Sequence, residues 1–332
     1  MRRIVFMGSD AIALPALNWL VGEGRSVAQL TGVFTQPDRA TGRGQKIQPN
    51  AIKLWAQARG LPVLQPEKTG PAEREQLAAL KPDLTLVMAY GHILRQDFID
   101  TPKLGTLNLH TSLLPKYRGA SPIQTAIAAG ETGTGVTLMR MVRQLDAGPV
   151  ADVERVVIAP LDTAAEVEAK LAAACVPLLA RALPCIAAGT QIFSEQDATQ
   201  ATFCRRLDKS DGGLDFNQPA AVLAARINGL MPWPGCAVAI NGQTVKLGQA
   251  DTCNLLGYKP TDPGIVIGVD ADGLLVGTGQ GILRLRQLQR PGGKMLSASE
   301  FLRGCPVSAG TQLPSHPMPA LLSETPFSRP KG

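Results

Sequence analysis

The stretch NLHTSLLPKYRGASPIQ at residues 108–124 decides how this chain is interpreted. An apolar-rich run, residues 104–109, leads into it and predicts a short buried strand. Side chains alternate along a strand, so Asn108 and His110 should project from the same face. Both would then lie at the carboxyl end of the strand, where open α/β sheets bind their ligands. An amide and an imidazole placed together beside a turn indicate a reaction centre.

A carboxylate follows the next predicted strand, residues 135–141. It belongs to Asp146, in the run LDAG at 145–148. A carboxylate close to an imidazole can orient the ring and favour its protonated form. We therefore expect Asp146 to orient His110.

Predicted strands and helices alternate through the first half of the chain. Residues 4–7, 30–35 and 83–89 are typical of strands, whereas residues 14–21 and 51–59 are typical of helices. This order predicts an α/β fold, with a Rossmann-like, mainly parallel sheet covered by helices. No G-x-G-x-x-G motif supports a dinucleotide site. Residues 163–188 predict a helical region that Pro177 and Pro184 should bend or split.

The second half has a different pattern of short β-like runs separated by Gly, Pro and Asn. These runs cover residues 237–240, 244–247, 264–269, 274–277 and 282–288. Five strands with tight turns predict a small OB-like β-barrel. We therefore expect a catalytic domain at 1–188, a linker at 189–204, the OB-like domain at 205–309 and an irregular Pro-rich tail at 310–332.

The composition is that of a globular protein long enough for two domains. The chain has 332 residues, 45% of them hydrophobic and 18% charged. A formal net charge of +6 permits a polyanionic partner such as RNA without requiring one. Six cysteines without a Cys-x-x-Cys pair predict free thiols in a reducing cytoplasm and no metal site. The apolar region 171–188 contains Pro177, Arg181 and Pro184, so we do not expect a membrane span.

The motifs at 108–124 and 145–148 resemble those of the folate-dependent formyltransferase family. Four more stretches are similar to the branch of that family that acts on charged initiator tRNA: FTQPDRATGRGQKI at 34–47, MAYGHIL at 88–94, RLDKSDGGLDF at 206–216 and GTGQGILRLRQLQRPGGKMLSASEFLRG at 277–304. The resemblance covers nearly the whole chain. It implies formyl transfer from 10-formyltetrahydrofolate to the amine of initiator methionyl-tRNA. It also implies a Rossmann-like catalytic domain followed by the barrel, and a reaction that needs no metal. We expect a cytoplasmic protein with no membrane contact, and a monomer by default.

The resemblance also implies roles for individual residues. Asn108, His110 and Asp146 would be catalytic, because donors aimed at the oxygen of a tetrahedral adduct lower its energy. Main-chain groups around 88–92 and the turn at 112–115 would bind folate, and Tyr117 and Arg118 would form the mouth of the site. The folate residues are Ala89, Tyr90, Gly91, Ser112, Leu113, Leu114 and Pro115. The polar, Gly-rich segment at residues 36–46 would be a tRNA loop that contacts the acceptor end through Arg39, Arg43 and Lys46.

Three alternatives remain open from the sequence. A basic cluster near the end of the chain either binds phosphates or is a solvated face; it comprises Arg284, Arg286, Arg290, Lys294 and Arg303, opposed only by Glu300. An amino sugar nucleotide is a second possible acceptor, although the basic loop at residues 36–46 and the RNA-binding type of barrel argue against it. A non-enzymatic RNA-binding protein is disfavoured because Asn108, His110 and Asp146 are all present.

Overall fold

The structure is a computed structural model that describes residues 1–41, 46–254 and 262–327. The chain divides into two compact units. The first unit comprises Met1–Arg118, Gly135–Val156 and Glu168–Ala201. The second comprises Gly119–Thr134, Val157–Val167 and Thr202–Gly332.

A seven-stranded sheet forms the centre of the first unit, in the order β10-β9-β7-β6-β1-β2-β5. The pairs β5–β2, β2–β1, β1–β6 and β6–β7 are parallel, and β9 runs antiparallel to β7. The first ten strands of the chain are β1 (Arg2–Met7), β2 (Ala28–Phe34), β3 (Arg39–Thr41), β4 (Lys46–Gln48), β5 (Val63–Leu64), β6 (Leu84–Val87), β7 (Thr106–His110), β8 (Arg118–Gly119), β9 (Gly133–Arg140) and β10 (Val150–Val157).

Helices alternate with these strands. They are α1 (Leu14–Val21), α2 (Ala51–Gln57), α3 (Pro71–Ala79), α4 (Gln96–Ile99), α5 (Pro122–Ala128) and α6 (Ala164–Ala188). Continuous apolar runs such as Ile4 to Met7 in β1 are fully buried, as expected for strands covered on both faces. The side chain of Asn50 caps α2 by accepting a hydrogen bond from the Lys53 amide. The predicted mainly parallel α/β sheet is confirmed.

Helix α6 runs unbroken for 25 residues although Pro177 and Pro184 lie inside it. Of the two predicted effects, bending or splitting, splitting is wrong. Each proline removes one backbone hydrogen bond, but Cys175, Leu178 and Leu179 around the first proline are fully buried, and their packing outweighs that loss. By length and composition α6 could cross a membrane, and half of its most apolar window is buried inside the protein.

The second unit is rich in antiparallel β-structure. Its strands form two four-stranded sheets, β12-β13-β18-β19 and β14-β17-β16-β15, and β11 pairs antiparallel with β20. The elements are β11 (Phe203–Cys204), α7 (Ala220–Leu230), β12 (Cys236–Ile240), β13 (Gln243–Leu247), β14 (Ala250–Cys253), β15 (Val266–Val269), β16 (Leu274–Gly277), β17 (Ile282–Leu285), β18 (Gln287–Gln289), β19 (Leu296–Ser297), α8 (Ala298–Gly304) and β20 (Leu322–Ser323).

One hydrophobic core joins both four-stranded sheets to α7 and α8. Helix α7 packs against α5. The two helices approach so closely that residue 229 has room only for a glycine. A Cβ atom there would lie 2.6 Å from the Ala128 nitrogen. The described part of the Pro-rich tail is mostly irregular, as predicted, but Leu313 is fully buried in this core. The predicted β-rich second domain is confirmed.

Candidate active site

Strand β7 positions two of the three predicted catalytic side chains. In the sheet, Asn108 lies opposite Val87 of β6 and Met139 of β9, and His110 lies opposite Thr137 of β9. Alternation along the strand places Asn108 and His110 on one face. Asn108 is half-buried and His110 is only 6% exposed. The strand ends at His110, so its imidazole lies at the carboxyl edge of the parallel part of the sheet.

The loop between β9 and β10 brings the third residue to His110. The Asp146 carboxylate oxygen Oδ2 lies 3.8 Å from Nδ1 of His110, and both side chains are largely buried. Asp146 adopts a left-handed conformation with φ of 49°. Two residues later, a Cβ atom on Gly148 would lie 1.9 Å from the Arg140 carbonyl oxygen. Only glycine therefore allows the loop to close in this way.

A backbone carbonyl determines which nitrogen of His110 faces the carboxylate. Nε2 lies 2.9 Å from the carbonyl oxygen of Tyr117. A carbonyl oxygen can only accept, so Nε2 carries a hydrogen and donates it. Nδ1 is then the nitrogen directed at Asp146, too far away for a direct hydrogen bond. The Tyr117 carbonyl therefore holds the ring through Nε2, and the Asp146 carboxylate faces the other ring nitrogen.

Tyr117 and Arg118 are buried, at 6% and 7% exposure, and do not form the predicted mouth of the site. Tyr117 has a φ of 60°, in the left-handed region, and its carbonyl oxygen accepts the hydrogen bond from His110. Burial lowers the pKa of Arg118, and the negative charge of Asp146 acts in the opposite direction. Sequence reasoning could not find the Tyr117 carbonyl, because every residue has one.

The predicted folate turn at residues 112–115 is fastened to β9 through Thr137. The Thr137 hydroxyl donates to the carbonyl of Ser112 at 2.6 Å and accepts from the amide of Leu114 at 3.2 Å. The Ser112 hydroxyl donates to the Lys116 carbonyl at 2.7 Å, so it closes the turn. Leu113, Leu114 and Pro115 are half-buried. Thr137 lies within an apolar strand and gave no signal in the sequence.

The second predicted folate segment, around Ala89, Tyr90 and Gly91, is held by hydrogen bonds from Ser9 and Gln36. The Ser9 amide donates to the Ala89 carbonyl, and the Ser9 hydroxyl donates to the Tyr90 carbonyl. The side-chain amide of Gln36 also donates to the Tyr90 carbonyl, at 3.2 Å. Ala89 and Gly91 both have positive φ, which turns the chain sharply after β6.

The Tyr90 side chain points into the core and not into a pocket. It is 2% exposed, and its hydroxyl has no hydrogen-bond partner among the described residues. Burial, and then the charge of Glu73, raise the pKa of Tyr90 well above its usual range. Any contribution of Tyr90 to ligand binding would have to come from its main chain.

We expect Tyr90→Phe to be at least as stable as the wild-type protein, with a gain of up to about 1–3 kcal/mol. The substitution removes a buried hydroxyl that makes no hydrogen bond and keeps the ring. Urea unfolding monitored by circular dichroism measures the difference. Tyr90→Ala is the control for packing and should cost about 3–5 kcal/mol. A loss of stability in Tyr90→Phe would mean that the hydroxyl has a partner.

The predicted tRNA loop at residues 36–46 includes strand β3, which pairs antiparallel with β4. Arg39 is exposed and lies 3.3 Å from Glu67, and Lys46 is exposed. Arg43 lies outside the described residues. The base of the hairpin is fixed by Asp38, whose pKa is lowered by hydrogen bonds from Gln65 and Lys53.

Two members of the predicted basic cluster are already neutralised. Arg284 pairs with Asp251, Asp270 and Asp272 at 2.8, 3.1 and 3.3 Å. Arg286 pairs with Asp251 at 3.0 Å and with Asp272 at 3.4 Å. Glu300 is therefore not the only opposing charge, and the prediction of a single basic cluster is wrong. Lys294 and Arg303 are exposed. Within the described residues, no group of three or more His, Cys, Asp or Glu could hold a metal ion.

Both halves of the chain match formyltransferase domains. Residues 1–183 match the formyl transferase family, and residues 206–306 match the formyl transferase C-terminal domain. The sheet, the site strand and the β-rich second domain thus define an enzyme of the formyltransferase class.

Proteins of similar sequence show which formyltransferase family the chain belongs to. The methionyl-tRNA formyltransferase of Ectopseudomonas mendocina is 42% identical over 90% of this chain and 93% of its own length. That of Bacillus licheniformis is 40% identical over 94% of this chain and 98% of its own length. The chain belongs to the methionyl-tRNA formyltransferase family.

Solved structures share the fold at low identity. The sugar 3N-formyl transferase WlaRD has a TM-score of 0.64 and 17% identity, over 87% of this chain and 98% of that one; it was solved with dTDP and 5-N-formyl-THF. An N-formyltransferase from Helicobacter canadensis, in complex with folinic acid and dTDP-3-aminofucose, has a TM-score of 0.65 and 17% identity, over 87% of this chain and all of that one.

Proposed function

We propose that this enzyme transfers the formyl group of 10-formyltetrahydrofolate to the amine of methionine on initiator methionyl-tRNA. The products are formylmethionyl-tRNA, used in translation initiation, and tetrahydrofolate. The identity of 40–42% to methionyl-tRNA formyltransferases over both halves of the chain carries the proposal. The folate-type ligands named for the WlaRD and Helicobacter canadensis structures support the class of donor.

In the proposed reaction the methionine nitrogen attacks the formyl carbon. A new C–N bond forms, and the formyl oxygen gains negative charge in a tetrahedral adduct. The bond from carbon to the folate nitrogen then breaks. The attacking amine loses a proton and the leaving folate nitrogen gains one, so the reaction is balanced without a further reactant.

The three site residues suit these steps. The Asn108 amide and a protonated His110 are donors for the negative oxygen. Because Nε2 of His110 is bound to the Tyr117 carbonyl, Nδ1 is the nitrogen that acts on the substrate. The Asp146 carboxylate lies 3.8 Å from Nδ1 of His110 and takes part in moving the proton between the two amines.

The remaining proposals concern folate, tRNA and the cell. Residues 1–188 carry the transfer chemistry, and 205–309 add tRNA-binding surface. The turns at 88–92 and 112–115 hold the folate, and Arg39, Arg43 and Lys46 contact the tRNA. The enzyme works in the cytoplasm as a monomer, without metal or membrane. The six free cysteines support a reducing compartment.

A comparison of acceptors tests the proposal against formylation of an amino sugar nucleotide, such as the dTDP-3-aminofucose bound in the Helicobacter canadensis structure. The purified enzyme receives one folate donor and, separately, charged initiator methionyl-tRNA, charged elongator methionyl-tRNA and dTDP-3-aminofucose. We expect kcat/KM to be highest for the initiator tRNA. Efficient formylation of the sugar nucleotide with little transfer to tRNA would contradict the proposal.

Arg43→Ala should lower kcat/KM for charged initiator tRNA by roughly tenfold to a hundredfold, because a charged hydrogen bond to a phosphate or base is lost. The dissociation constant for folate should not change. Both quantities are measured on one preparation. Arg74→Ala, at an exposed arginine of α3, is the matched control and should behave like wild type. Weakened folate binding with normal tRNA kinetics would assign the loop to the other ligand.

A further inference from the structure

Gln196 lies in the sequence between the two segments that match the family domains, and its side chain makes four hydrogen bonds to nitrogen and oxygen atoms next to the candidate active site. The Nε2 group of Gln196 donates to the carbonyls of Asp146 and Gly148, at 2.9 and 2.7 Å. Its Oε1 atom accepts from Nε and Nη2 of Arg118, at 3.1 and 2.6 Å. A glutamine amide has two donor hydrogens and two acceptor sites, so all of them are used.

The partners also fix the orientation of the amide. An arginine can only donate and a backbone carbonyl can only accept. If the nitrogen and oxygen of Gln196 were exchanged, donors would face donors and acceptors would face acceptors. The amide therefore has one satisfactory orientation, and the half-buried side chain is held in a single geometry.

Gln196 joins the segment that holds His110 to the loop that carries Asp146. Arg118 follows Tyr117 directly, and the Tyr117 carbonyl binds Nε2 of His110. Gly148 lies in the same loop as Asp146, which has the left-handed backbone described above. One amide thus constrains both sides of the 3.8 Å separation between His110 and Asp146.

The backbone that carries Gln196 is itself fixed, although residues 189–204 were expected to be a linker. Ser194 exchanges two backbone hydrogen bonds with Val150 at the start of β10, at 2.8 and 2.9 Å. The ring of Phe193 lies under the guanidinium of Arg140, 4.1 Å from the ring centre. A side chain on such a segment can hold the loop in place, whereas one on a free linker could not.

We propose that Gln196 is a positioning residue for formyl transfer that sets the relative placement of His110 and Asp146; this inference rests on the proposed function. Gln196 itself need not contact the reacting atoms. A displacement of a catalytic group by about 1 Å can cost roughly a hundredfold in rate. We therefore expect the turnover number to depend on Gln196, and the KM values for folate and tRNA to depend on it much less.

Two substitutions separate positioning from packing. Gln196→Glu keeps the volume and the acceptor for Arg118, but places a carboxylate oxygen against the carbonyls of Asp146 and Gly148. Gln196→Ala removes all four hydrogen bonds. We expect each to lower kcat by about tenfold to a hundredfold. Gln191→Ala is the matched control, because Gln191 also donates to two backbone carbonyls of the first unit, those of Ala151 and Ile192.

The decisive experiment is a double-mutant cycle of Gln196→Glu with Asp146→Asn, assayed by formyl transfer to charged initiator tRNA. If Gln196 acts by placing Asp146, adding Gln196→Glu to Asp146→Asn should cause little further loss of kcat. Multiplicative losses, a wild-type kcat in Gln196→Glu, or an effect confined to KM would overturn the inference. An active wild-type enzyme with unimpaired variants overturns this inference alone, whereas an inactive wild-type enzyme overturns the proposed function with it.

Discussion

His110→Ala is expected to lower kcat for methionyl-tRNA formylation by at least about 100-fold while the folate still binds. The substitution removes the donor that Nδ1 offers to the developing oxyanion, and loss of one such donor typically costs about 100-fold to 1000-fold. It also leaves the Tyr117 carbonyl without its present donor. Single-turnover formylation at saturating substrates measures the chemical step, and fluorescence titration measures folate binding.

His110→Gln tests the same step with less damage to the site, because a glutamine amide can still donate a hydrogen bond but cannot become positively charged. We expect a similar loss of kcat. His316→Ala changes an exposed histidine in the Pro-rich tail and should have wild-type kinetics. Near-normal turnover in both His110 variants would exclude the proposed role of the imidazole.

Asp146→Asn should also lower kcat by at least about 100-fold. It removes the negative charge 3.8 Å from Nδ1 of His110 but keeps the shape of the side chain. Asparagine is the suitable replacement, because it tolerates the left-handed backbone at φ 49° better than alanine does. The backbone carbonyl that binds Gln196 is also retained.

The measurement is kcat together with the thermal unfolding midpoint of the same preparation. We expect the midpoint to stay close to that of the wild-type protein. Asp152→Asn, at a partly exposed carboxylate that pairs with Arg181 on the surface, is the control and should be fully active. If Asp146→Asn turned over like wild type, proton movement would have to be assigned to another group.

The sequence predicted the site strand well, because apolar alternation has a direct physical cause. Asn108 and His110 lie on one face of β7, and Asp146 lies near His110. The groups that hold these side chains in place, the Tyr117 carbonyl and the Gln196 amide, could not be predicted from any pattern in the sequence. The Tyr117 carbonyl has no identity in a sequence, and Gln196 lies in a polar stretch with no periodicity.

In the second unit, strand β14 was not predicted from the sequence, because two of its four residues are polar. β14 has the sequence ADTC and does not look apolar, yet Asp251 lies directly opposite Arg284 of β17 and pairs with it. Linear spacing placed Arg284 and Arg286 among basic neighbours. Antiparallel pairing instead places Arg284 beside an acid 33 residues earlier in the chain. Such cross-strand charge pairs depend on register, which the composition of a segment cannot reveal.

The most direct test of the account is a product balance on the wild-type enzyme. Charged initiator methionyl-tRNA is mixed with 10-formyltetrahydrofolate carrying a labelled formyl group. Tetrahydrofolate and labelled formylmethionine, released from the tRNA by mild base, are then counted. We predict one formylmethionine for each tetrahydrofolate. Tetrahydrofolate formed with free formate and no formylmethionine would show hydrolysis of the donor without transfer, and would contradict the account.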